Sequence, residues 1–124
     1  MKKVLLVGLE PSAVDFSDPA LPPGLTEAKV HAGVKLALAD IAGRGWTAQI
    51  CFINPDETAV STVERSLATD RYDCVVVGAG VRLPPSRLLL FEAVINAIHR
   101  AAPQAAIAFN TCPDDNGAAA ARWL

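Results

Sequence analysis

The chain has 124 residues, of which 52% are hydrophobic and 19% charged, with a formal net charge of -2. This length fits one core and is too short for two, and the apolar share excludes a disordered chain. Eleven Lys and Arg residues are scattered rather than massed, so no nucleic-acid surface is expected.

The opening MKKVLLVGLEPS carries two lysines before an apolar run that stops at Leu9. The run is too short for an export core and far short of the ~20 residues that span a bilayer. It predicts a first strand, Val4–Leu9, kept soluble by its lysines. Three cysteines, an odd number without CxxC or Cys/His spacing, make neither a disulfide framework nor a zinc site. No metal site and no membrane partner are expected, and a cytoplasmic setting fits.

A long connection follows the first strand, about 15 residues where a handful would serve. It holds Pro11, Pro19, Pro22 and Pro23, which stiffen it, and it offers Glu10, Asp15, Ser17 and Asp18. Two readings stay open: a stiff lid or pocket wall, or a packed Ω-loop that serves as a contact arm over residues 9–25. Glu10 directly follows the strand, so it and Asp15 are the acid/base candidates.

The first helix is predicted from Val30, Val34, Ala37, Leu38 and Ile41 on one stripe, with Thr26 as N-cap and Gly43 and Gly45 as its end. A second strand, Ala48–Ile53, leads into a helix with Val60, Val63, Leu67 and Ala68 on one face. Its start is either a Ser61/Glu64 capping box or an Asp56 cap.

A third strand, Asp73–Gly78, runs into GAGVRLPPS. Gly78 and Gly80 permit a tight turn and a close backbone approach to a ligand, and Arg82 adds a fixed positive charge suited to a carboxylate or phosphate. An anion site here competes with a structural pairing of Arg82 and Asp15; Arg87 reads as a solvated helix residue. The next helix has Leu88, Phe91, Ile95, Ile98 and Ala102 on one stripe, between Pro85 and Pro103.

A fourth strand, Ala105–Phe109, is followed by Asn110 and Thr111, which are placed to hydrogen-bond a small ligand. Cys112 is the weak nucleophile candidate, because Asp114 and Asp115 beside it oppose a thiolate. Cys51 and Cys74 read as small core residues, and His31 and His99 as structural. Asn116–Leu124 is expected to form a short helix that lays Trp123 on the sheet.

Short, continuously apolar strands alternating with helices predict an α/β fold, a three-layer, open parallel sheet of four strands. The order 2-1-3-4 makes it flavodoxin-like, or more broadly Rossmann-like. Ligands of such sheets sit beyond the carboxyl ends of the strands, at the switch between strands one and three. Gly78, Gly80, Arg82, Asn110 and Thr111 define the expected pocket for a small anionic molecule. Common folds of this class have five strands, so thin cover over one edge or face predicts a homo-oligomer.

Known families with this architecture fit only at the level of fold. The first strand ends VGLEPS, without the GxGxxG of dinucleotide-binding proteins, and GAGVRL lacks the last glycine, which disfavours NAD. No GxxxxGK[ST] occurs, which disfavours ATP held by a P-loop. The proline-rich first loop is unlike a flavodoxin phosphate loop, and Trp46 and Tyr72 precede their strands, which disfavours FMN. A receiver-like module would need a carboxylate where Gly78 stands, and the CxxxxxR phosphate loop fails because Ala118 follows Cys112 at that spacing. Both an enzyme and a non-catalytic interaction module remain open.

Overall fold

The apolar runs form strands β1 (Lys3–Leu9), β2 (Thr47–Ile53), β3 (Cys74–Val77) and β4 (Ala106–Phe109) in the computed structural model, which describes Met1–Leu124. They make one parallel sheet in the order β2-β1-β3-β4, with Val4 beside both Ala48 and Cys74, and Cys74 beside Ala106. This is the flavodoxin-like α/β arrangement. All four residues of β3 are buried, as are Val4 through Val7 of β1, because helices cover both faces of the sheet.

Alternation along the strands divides the core into two. Leu5, Val7, Val75 and Val77 face α2 (Thr58–Thr69) and α4 (Leu88–Ala101), whose Val63, Leu67, Val94 and Ile98 complete that cluster. Val4, Leu6, Cys74 and Val76 face α1 (Glu27–Gly43) and α5 (Asn116–Ala121), which contribute Ala37, Ile41, Ala119 and Ala120. Each fully buried aliphatic side chain stabilises the fold by about 1.5–3 kcal/mol relative to an exposed one. Burial also pushes the Cys74 thiol up to about 11, so it is a neutral core group. No helix is long and apolar enough to cross a membrane.

The helix boundaries follow local chemistry. Thr26 caps α1, its side chain accepting from the Lys29 amide, and Gly45 adopts φ 80° just past the end, a conformation open to glycine. At α2 the Asp56 carboxylate accepts from the Thr58 amide at 2.9 Å. The Ser61/Glu64 capping box does not form. The helix has already begun at Thr58, so Ser61 is interior and its hydroxyl donates to the Thr58 carbonyl.

Three expectations are corrected. The chain after β3 makes no glycine turn with positive φ; it enters a short helix, α3 (Ala79–Arg82), through extended Gly78. The α4 stripe holds at Phe91, Ile95, Ile98 and Ala102, which pack on the core together with buried Val94 and Ala97, but Leu88 at the helix start is left 57% exposed. Trp123 does not lie on the sheet and is 63% exposed. Helix α5 ends at Ala121 with Ala119 and Ala120 facing inward, and Leu124 packs on that core cluster instead.

Gly33 brings α1 against the segment after β4: a Cβ built there meets the Pro113 Cβ at 2.6 Å. Alanine in place of a helical glycine gains roughly 0.5–1 kcal/mol, whereas overpacking costs about 1–3 kcal/mol. The clash wins. Gly33→Ala is expected to lower unfolding free energy in urea titrations, whereas Gly43→Ala, with nothing within 4 Å of its added methyl, is expected to raise it.

Candidate functional site

The long first loop is ordered by its own polar residues. Asp15 accepts from the amide and hydroxyl of Ser17 (3.0 and 2.6 Å), and Asp18 accepts from the Ala20 amide at 2.9 Å. These turns hold the carboxylates at the surface and let the apolar side chains point inward. Pro11 and Leu21 are buried, and Val14 packs on the core.

Beneath the loop lies a partly open cavity of about 90 Å³. Its floor is the carboxyl end of β1 at Leu6 and Gly8, with Ile50 and Phe52 of β2 beside it. Val30 and Val34 of α1 form one wall; Leu21, Pro22 and Leu25 of the loop form another. The far end is closed by Gly78 and Gly80 after β3 and by Asn110, Cys112 and Asn116 after β4. The cavity therefore occupies the switch between β1 and β3, where ligands of open parallel sheets sit. Twelve of its nineteen lining residues are hydrophobic, and none is charged.

Gly8 is the centre of this floor. It pairs with Phe52 within the sheet, has no positive φ, and a Cβ built on it meets nothing within 4 Å. Neither backbone conformation nor packing requires glycine here. Glycine inside a strand weakens it and often marks a place where a ligand comes close.

Asn110 and Asn116, the two buried polar residues of the chain, are 5% and 4% exposed. The Asn110 Oδ1 accepts from the Ala79 amide at 2.7 Å, which caps α3, and its Nδ2 donates to Asn116 Oδ1 at 2.9 Å. Asn116 Nδ2 in turn donates to the Pro113 carbonyl at 2.8 Å. The two carboxamides thus tie the segment after β3 to the segment after β4.

Of the residues expected at the pocket, Gly78, Gly80, Asn110 and Cys112 line the cavity; Arg82, Thr111, Glu10 and Asp15 do not. Arg82 lies with its guanidinium carbon 5.5 Å from the centre of the Phe109 ring. Phe109 packs toward the α2 and α4 face, across the sheet from Gly8. The Arg82 Nη2 donates to the Asn110 carbonyl at 2.7 Å, and Nη1 is buried without a partner. Burial pushes this guanidinium below its usual range, and the negative charge of Asp115 opposes that shift. No ion pair joins Arg82 to Asp15.

Thr111 closes its own loop, its amide donating to Asp115 at 3.0 Å. Glu10 accepts from the Ser12 hydroxyl at 3.5 Å, and the Ser17 bonds hold the Asp15 carboxyl below the usual range. No three His, Cys, Asp or Glu side chains come together as a metal site requires. Gly8, Asn116 and the loop side chains Leu21 and Leu25 were absent from the sequence-based pocket. A glycine within the apolar run VLLVGL carried a readable signal for the first of these; the others depend on how the loops return to the sheet.

No protein-family model, curated protein or solved structure matches the chain. The class is defined by its topology: an open three-layer α/β domain with an apolar cavity at its switch point.

Cys112 is the one thiol in the cavity lining. Its Sγ donates to Asp114 Oδ1 at 2.8 Å, and burial followed by that hydrogen bond pushes its titration upward from 9.0. The thiol is therefore protonated at neutral pH, which is the wrong state for a nucleophile. Iodoacetamide is expected to label Cys112 slowly at pH 7 and faster as pH rises through and beyond 9. Asp114→Asn removes the carboxylate that holds the proton, so labelling followed by mass spectrometry should accelerate about three- to tenfold at pH 8.

Proposed function

We propose that the chain is a small-molecule-binding domain that seats a compact apolar group of its ligand over Gly8. The observation that carries this reading is the glycine itself: a central strand bears a residue that weakens it, and the space this leaves opens into the cavity. A volume of about 90 Å³ is below the ~150 Å³ that accepts benzene in an engineered apolar cavity. The seated part is therefore a short branched aliphatic group, and the remainder of a larger ligand would emerge at the mouth. Arg82 stands outside the lining, so the anionic ligand expected from its charge has no cation to meet in this cavity.

A pocket wall, rather than a contact arm, is the role that the long loop supports, because Val14, Leu21 and Leu25 are spent on the chain's own interior. Gly8→Val should fill the cavity. Removing a strand glycine and burying methyl groups is worth about 1–2 kcal/mol, so the variant is expected to melt higher than the parent. It should also lose the response to branched aliphatic fragments, which at 100 times Kd stabilise the parent by ~2.7 kcal/mol. A variant that is less stable, or that binds such fragments as the parent does, overturns the reading.

A second reading, homo-oligomerisation, draws on Leu88 and Leu89 at the start of α4, 57% and 79% exposed, with Leu83 nearby in the chain. Apolar side chains at such exposure suit an interface between copies. Under this reading the protein sediments as an oligomer and Leu89→Lys shifts it to a monomer; a parent that is monomeric at high concentration removes the reading.

A further inference from the structure

Resting on the cavity as a binding site, we infer that the polar end of its ligand is a neutral group offering both a hydrogen-bond donor and an acceptor, of the carboxamide type, read by Asn110 and Asn116. Both asparagines line the cavity and are more than nine-tenths buried. Their hydrogen bonds to Ala79, to each other and to Pro113 occupy one hydrogen on each Nδ2 and one acceptor position on each Oδ1. A carboxamide has two hydrogens and two lone pairs. Each therefore retains one donor and one acceptor position, and an unmade hydrogen bond in a buried place is costly. A ligand carboxamide supplies the complementary pair.

Charge argues for the same class. None of the lining side chains is ionised: the Cys112 thiol is held protonated by Asp114, and Asp115 is engaged with the Thr111 and Cys112 amides. Arg82 is turned toward Phe109. A carboxylate or phosphate entering the cavity would lose water without gaining a paired charge, whereas a neutral amide loses only hydrogen bonds that the asparagines can replace.

The test compares three molecules of one shape, isobutyramide, isobutyrate and 3-methyl-2-butanone, titrated at pH 7 into the full chain and followed by amide NMR. Ligands this small bind in the millimolar range, which chemical-shift titration resolves. Isobutyramide is expected to bind at least tenfold more tightly than isobutyrate and severalfold more tightly than the ketone. Its shifts should centre on Gly8 and on the side-chain amides of Asn110 and Asn116, and Gly8→Val should abolish them. Isobutyrate binding as well as the amide, with shifts at Gly8, overturns the neutral head and leaves the cavity a binding site. Equal binding of the ketone overturns the donor requirement in the same way. If none of the three perturbs Gly8, both the head and the site fall.

Discussion

Strand β1 hydrogen-bonds to β2 along its whole length and to β3 from Val4 to Val7, and the other layers take their places from it. Because its residues alternate between faces, Leu5 and Val7 anchor the cluster under α2 and α4 while Val4 and Leu6 anchor the one under α1 and α5. A strand placed this way has no solvent face and, beyond its first residue Lys3, must be apolar. Gly8 interrupts that requirement at its carboxyl end. The missing side chain leaves the α1 face unfilled where the strand order reverses, so the cavity follows from one position in the central strand.

The walls of the cavity are held by short-range polar contacts rather than by ion pairs. Asp15 and Asp18 fold the first loop onto itself, which turns Leu21 inward to 7% exposure. Asn110 and Asn116 join the segments after β3 and β4, and Gly33 lets α1 close against Pro113. The two ion pairs of lysine and arginine, Lys3–Asp70 and Arg44–Asp40, lie on exposed side chains outside the cavity lining, where such pairs contribute little. The cavity is thus walled by hydrogen bonds and packing.

Arg82 illustrates how a charge near a switch point differs from a charge in a site. Its place two residues after Gly80 brings it to the right edge of the sheet. The short helix α3 and the Phe109 ring then draw the guanidinium to the α2 and α4 side, where it braces the Asn110 carbonyl. Its contribution to the cavity is indirect: it supports the backbone that presents the Asn110 carboxamide.

Most of the architecture was legible in the residues. The four apolar runs, the Thr26 cap, the prolines bounding α4 and the order 2-1-3-4 all rest on local periodicity and on the restricted ways in which parallel strands connect. Local pattern failed at the ends of segments: Leu88 stays exposed where α4 begins, and Trp123 stays outside because Ala119 and Ala120 fill the space under α5. What the chain determined by itself was therefore its layers and the edge at which the cavity opens. Which side chains meet there, Gly8 with Asn110 and Asn116 rather than Arg82 with Thr111, was decided by the tertiary structure, since the face a loop residue occupies depends on long-range packing that no local spacing encodes.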